Sequence, residues 1–376
     1  MSVNTTQLIP DTFCSGKWEE LCFNLNYNYV YGCCAAKPIK FIKDYNQVLD
    51  IQKTNLLNGT KDESCNYCWS VEKQGGRSRR NEYTETFNGN LEPYINNTAT
   101  VKMLELNLGN ECNFQCVYCN PKYSSIWEAD VRKQPYKVFT DRFNYGVLEK
   151  SDESIKEANL AILKQIGFVE EVRIIGGEPL INKNLWPLLD NVNTNTLHIT
   201  TNLSCKPETV DRLFALKFNN IRLQISMDAP KAISEFARYG TDFDQMLVTL
   251  NHVLTTAPDH VIVTIASTFS SLTIRGIREF TEMVKQWQLI RPTLVWTLNY
   301  CTTPNIQSFY TLPDQYREDV MQALEYIKTM PNIERAEIVE SAIQNYKFSP
   351  SMHKELKQFF QQFAERKNIE IPICLD

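Results

Sequence analysis

Cys112, Cys116 and Cys119 stand within eight residues of one another, in 110-NECNFQCVYCNP-121, at the spacing C-x3-C-x2-C with Tyr118 before the last. Three thiolates this close can grip a metal cluster and leave one coordination position open, which a closed four-ligand structural site lacks. Spaced at i, i+4 and i+7, the same cysteines would also line one face of a helix. Asn110, Asn113, Asn120 and Pro121 favour a loop instead. A second set of thiols lies upstream: Cys65 and Cys68 form a C-x2-C knuckle in 65-CNYCW-69, and Cys14, Cys22, Cys33 and Cys34 precede it. Residues 18–34, with Leu21, Phe23 and Leu25 alternating before an Asn-rich turn, read as a β-hairpin whose arms bring Cys14 or Cys22 near Cys33 and Cys34. Two thiols from a hairpin and two from a knuckle make a four-thiolate site for zinc or an iron–sulfur cluster, and spacing does not separate those metals. Cys205, Cys301 and Cys374 are scattered and read as small buried hydrophobes.

The whole chain bounds what these thiols mean. With 376 residues, 43% of them hydrophobic, it buries a sizeable core, and a net charge of -5 gives no basic field toward nucleic acid or an anionic membrane. No apolar run is long enough for a signal peptide or a membrane span, so a cytoplasmic location is expected, where clustered thiols serve metals rather than disulfides.

The elements that must position the thiols follow from periodicity. A helix is expected over about 44–59, ending at Gly59. The basic stretch around Arg77, Arg79 and Arg80 is either a solvated loop or an anion contact, and 88–100 is a polar linker. From Val101 onward, short apolar runs at 101–108, 171–176, 196–202, 221–228, 261–268 and 293–300 alternate with amphipathic segments such as 153–167 and 242–257. Six β-α units imply an α/β fold with a parallel sheet, whose chemistry sits at the C-terminal strand ends. Residues 313–330, 332–347 and 350–368 read as helices, with Phe359 and Phe360 as core. The division expected is a Cys-rich α+β unit over 1–100, a partial (β/α)6 TIM-type barrel over 101–300 and a helical extension over 301–376.

The three-cysteine loop with its aromatic resembles the signature of the radical S-adenosylmethionine (radical SAM) superfamily, and 176-GGEP-179 resembles that family's motif for the methionine amino group. The resemblance implies a [4Fe-4S] cluster on Cys112, Cys116 and Cys119, with S-adenosylmethionine on the fourth iron. Its reductive cleavage would yield a 5′-deoxyadenosyl radical that abstracts hydrogen. It implies roles for Gly176, Gly177, Glu178 and Pro179 at the methionine end, for Thr201, Asn202, Ser226 and Asp228 at the ribose, for Arg238 at the carboxylate, and for the Tyr118 backbone at adenine. It implies an electron donor such as flavodoxin or ferredoxin. The order Cys14, Trp18, Cys33-Cys34 and 65-CNYCWSVEKQGGRSRR-80 is more loosely similar to the twitch/SPASM-like segments that bind an auxiliary iron–sulfur cluster, as in some phage and bacterial proteins. In most such relatives that unit follows the barrel rather than preceding it. The family precedent favours a peptide or protein substrate, with carbohydrates and nucleotides also represented, and neither substrate nor general base is legible. The competing expectation is a non-catalytic zinc or iron–sulfur module whose basic loop contacts nucleic acid or protein.

Overall fold

Alternating apolar and polar residues on a parallel strand mean that one face meets helices and the other meets a polar interior. The computed structural model, which describes residues 8–40, 45–73, 77–138 and 167–372, has this pattern. In chain order the strands are β1 (Glu20–Asn24), β2 (Tyr29–Tyr31), β3 (Ile39–Lys40), β4 (Met103–Asn107), β5 (Gln115–Cys116), β6 (Val169–Ile175), β7 (Thr194–Thr201), β8 (Asn220–Ser226), β9 (Arg238–Tyr239), β10 (Val261–Phe269), β11 (Val295–Tyr300) and β12 (Ile333–Glu334). All six expected runs are strands within an α/β fold. The expected helix over 153–167 lies almost wholly outside the described residues, as do Cys374 and Gly75-Gly76.

Two compact units divide the described residues. One holds those within 1–109, 149–174 and 186–195, the other those within 110–148, 175–185 and 196–376. In the first, the strand order is β3-β2-β1-β4-β6. The hairpin forms with Cys22 opposite Tyr31, and β1 also runs parallel to β4, Glu20 beside Met103. The N-terminal hairpin therefore extends the sheet that carries the first barrel-type strand. All five β1 residues are buried, on both faces of the sheet. Residues 88–100 are more than a linker: Leu91 and Tyr94 pack with Phe13 and Trp18, and the Tyr94 hydroxyl donates to Glu19 at 2.6 Å.

Glu20 is 1% exposed, so its charge needs partners. The Tyr83 hydroxyl and the Cys34 amide donate to it at 2.7 and 2.9 Å, and Arg79 lies 3.5 Å away. Burial alone would raise this carboxyl; Arg79, Tyr83 and Cys34 outweigh it and hold the group below the usual carboxylate range. Its folded pKa is lower than the unfolded one, so its stabilisation is complete above about pH 4.3 and is lost as pH falls through the folded value. Glu20→Gln is expected to cost about 2–3 kcal/mol at pH 7 and to flatten the acid limb of the stability curve. Urea midpoints for both proteins from pH 7 down to about pH 3 check this; parallel curves would refute it.

The second unit has the order β7-β8-β10-β11-β12. Its register aligns Leu197 with Ile221 and Val261, Ile199 with Leu223 and Val263, and Ile225 with Ile265 and Trp296. Every one of these is at most 2% exposed. On the alternate positions His198 meets Gln224 at 3.1 Å, and Thr200 and Ser226 face a cavity. Helices Arg317–Ile327, Ala336–Asn345 and Pro350–Lys367 fill the last quarter, and the third begins at Pro350, whose missing N–H costs a first turn nothing.

Candidate active site

The three-cysteine segment is a loop, as its asparagines indicate. Only β5 breaks it, and β5 pairs antiparallel with β9 so that Cys116 lies opposite Arg238. This pairing is set by glycine: a Cβ on Gly240, whose φ is +106°, would stand 2.7 Å from the Asn113 carbonyl oxygen. The helix Ser125–Lys133 then staples the loop. Ser125 Oγ accepts from the Cys112 amide, Ser124 Oγ donates to the Phe114 carbonyl, and Asn110 bridges the Pro121 carbonyl and Glu128. Trp127 is fully buried and its Nε1 donates to the Cys116 carbonyl at 2.8 Å. Behind it, Tyr136 packs edge to face, Phe359 stacked and Phe363 tilted, so the C-terminal helix Pro350–Lys367 backs the cysteine loop.

The 176–179 turn meets the loop from the other side. The Glu178 amide donates to the Glu111 carbonyl at 2.7 Å, and a Cβ on Gly177 would overlap that same oxygen. The Glu178 carboxylate, 2% exposed, accepts from the Leu180 amide, the Thr201 hydroxyl and the Asn202 amide. Burial nevertheless raises its pKa above the ordinary value, against those three bonds. A carboxylate has about four acceptor positions, so one is left. Asn202 in turn donates to Asn113, which donates to Ser204, tying the end of β7 to the cysteine loop.

Arg238 is 8% exposed, not a surface residue. Its Nε donates to Asp228 Oδ2 at 2.8 Å; among the described residues its two terminal nitrogens have no hydrogen-bond partner. Asp228, expected at a ribose, instead takes three protein donors: Arg238, the Tyr118 hydroxyl and the Thr268 amide. Three of its acceptor positions are taken by these donors, one of them Arg238. Thr201 and Asn202 are partners of Glu178.

These groups share one cavity of about 440 Å³. Cys112, Cys116, Cys119, Tyr118, Gly176, Gly177, Glu178, Thr201, Asn202, Ser226 and Arg238 all line it; Pro179 and Asp228 do not. Burial pushes the Cys119 thiol up to about 12 and the Cys112 and Cys116 thiols upward as well.

The family model described as Radical SAM superfamily matches residues 106–265, a span that contains every cavity-lining residue just named. The chain matches a radical SAM domain over that span alone, less than half of its length. It is similar to a GTP 3′,8-cyclase of Desulforamulus reducens, 25% identical over 149 residues, and to one of Campylobacter lari, 31% identical over 137 residues. These alignments cover 39% and 35% of this chain and 40% and 36% of the relatives, so the chain spans well under half the length of each. A solved structure of anSMEcpe with bound AdoMet aligns with a TM-score of 0.40 at 16% identity, over 66% of this chain and 67% of that one.

The cavity's donor set fits a cluster better than one ion. Among the described residues no three His, Cys, Asp or Glu side chains converge closely enough for a single metal. In a cluster each thiolate takes a different iron, so the sulfurs stand apart around one cavity. Reading the sequence missed Ser124, Ser125 and Trp127, which hold the loop, and Asn113 and Ser204, which hold the strand end. The serine pair ahead of an acidic residue was a legible helix start, Ser124 accepting from the Trp127 amide; nothing local announced Trp127.

In the first unit the arginines of the basic stretch are used internally. Arg77 pairs with Glu85, Arg79 with Glu20 and Glu82, and Arg80 with Glu72 and two backbone carbonyls. The anion-contact reading of this stretch loses its charges to these pairs. No helix among the described residues is long and apolar enough to cross a membrane.

Proposed function

We propose that the protein reductively cleaves S-adenosylmethionine at a [4Fe-4S] cluster on Cys112, Cys116 and Cys119 and abstracts hydrogen from a substrate. The observation that carries this is the single cavity lined by three thiols, a glycine-rich turn and an arginine with a free edge. When bound, cluster and cofactor supply a 5′-deoxyadenosyl radical through reductive scission of the C5′–S bond. Arg238 receives the methionine carboxylate through its terminal nitrogens, a planar fork suited to that shape. Glu178 offers its remaining acceptor position to the ammonium, and Gly176 and Gly177 let the cofactor approach the backbone. Ser226, Thr201 and Asn202 serve the ribose, and the backbone at Tyr118 serves adenine. Flavodoxin or ferredoxin supplies the electron. The substrate stays at the level of class: a peptide or protein, a carbohydrate, or a nucleotide, the last supported by the GTP in the relatives' name.

The cysteines of the first unit are proposed to hold an auxiliary iron–sulfur cluster. Cys14 lies within electrostatic reach of Cys65 and Cys68, and Cys33 within reach of Cys14. The Gly16 and Lys17 amides favour a thiolate at Cys14, and the Arg80 amide favours one at Cys68, an environment that suits metal-bound sulfur. Cys22 faces Glu20 and Glu105, whose charges oppose a thiolate, and Cys34 faces the same two carboxylates. Cys33 also faces Glu20, but Lys17 offsets it and Glu105 is not among its neighbouring charges; this favours Cys14, Cys33, Cys65 and Cys68 as the ligand set over Cys22 and Cys34. After anaerobic reconstitution, iron content is expected near eight per chain, about four for each cluster, with S-adenosylmethionine cleaved on addition of dithionite. Zinc without iron, and no cleavage, would sink the proposal.

A further inference from the structure

The cavity requires an aromatic ring at position 118 for packing, but it does not explain why that ring carries a hydroxyl. The Tyr118 ring packs on the apolar cluster around Trp127 and the C-terminal helix, a job phenylalanine would do as well. Its hydroxyl reaches out of that cluster to Asp228 Oδ2, the same oxygen that receives Arg238 Nε. The other carboxylate oxygen is fixed by the Thr268 amide at 2.7 Å, on β10. Asp228 is 1% exposed, so each of these bonds acts with little solvent screening. The Arg238 guanidinium also lies over the Tyr118 ring, 5.6 Å from its centre.

From this we infer that the Tyr118 hydroxyl is a positioning group for Arg238: by sharing Asp228 Oδ2 it fixes the plane of the guanidinium and so the direction of its free edge. A guanidinium held through Nε alone can swing about that contact. A carboxylate clamped at both oxygens, one of them by a hydroxyl from the cysteine loop, removes that freedom. The hydroxyl thereby couples the loop that holds the thiols to the arginine that reads the carboxylate. The inference rests on the reading that Arg238 binds the carboxylate of S-adenosylmethionine.

The test compares wild type and Tyr118→Phe, both reconstituted anaerobically, for binding of S-adenosylmethionine and of its decarboxylated analogue by equilibrium dialysis. Tyr118→Phe is expected to keep its iron, to bind S-adenosylmethionine about tenfold more weakly and to bind the decarboxylated analogue as wild type does. In the cleavage assay KM is expected to rise with little change in kcat. Equal loss for both ligands, or no loss, overturns the inference. If wild type itself does not prefer S-adenosylmethionine over the analogue, the assignment of Arg238 falls first and the inference with it. Should Tyr118→Phe fail to take up iron, Asp228→Asn carries the same comparison, with the same carboxylate-specific loss expected and equal loss for both ligands refuting it.

Discussion

Replacing Gly177 by alanine is expected to disable the catalytic centre without touching any cofactor-binding side chain. The added methyl would lie 2.0 Å from the Glu111 carbonyl oxygen, 2.6 Å from its carbon and 2.9 Å from the Asn110 carbon. These are backbone atoms and cannot rotate away. The oxygen is also the acceptor of the Glu178 amide, so relief means separating the 176–178 turn from the 110–112 segment. That segment leads directly into Cys112. A displacement of about 1 Å at a reacting centre costs about 100-fold in rate, and cleavage of S-adenosylmethionine to 5′-deoxyadenosine is expected to fall by at least about that factor. Reconstituted iron should fall with it. An unchanged rate in a folded Gly177→Ala protein would mean that the turn and the loop do not need the observed contact.

Cys116→Ala should abolish cleavage altogether, while Cys65→Ala leaves it measurable. The contrast is informative because Cys116 holds its surroundings through its backbone: its carbonyl accepts from Trp127 and its strand pairs with Arg238. Alanine keeps both, so the variant loses a sulfur and little else. Iron content separates the two sites further. Cys116→Ala is expected to retain about four irons on the auxiliary ligands, and Cys65→Ala about four on the catalytic ones. Normal cleavage by both variants would refute the assignment of the catalytic cluster.

The way these residues are held explains how far the chain could be read from its letters. The six strands were legible because a parallel sheet with a polar inner face alternates side chains with period two, and Leu223 and Ile225 follow that period directly. The three-cysteine loop was legible for a similar reason: its thiols are neighbours in sequence, so their spacing already brings them to one cavity. Arg238 was different. Its resemblance to a carboxylate-binding arginine implied a role, but only the β5–β9 pairing placed it opposite Cys116. The N-terminal boundary was also beyond local reading. The hairpin runs into the sheet through β1 and β4, residues about eighty apart in the chain, and such pairings leave no periodic trace in either segment.

By itself, then, the sequence determined the three thiols at 112, 116 and 119, the glycines that must follow a strand at 176 and 177, and the alternation that builds the sheet, because each depends on neighbours within a few residues. Only the tertiary structure decided what the remaining polar groups do. Asp228 accepts from Arg238, Tyr118 and Thr268, and Glu178 spends most of its acceptors on Leu180, Thr201 and Asn202. A buried carboxylate must find its donors, and which donors lie in reach is set by strands and loops that meet only once the chain has folded. The same holds for the backing of the cysteine loop, where Trp127 meets Phe359 across more than two hundred residues of sequence.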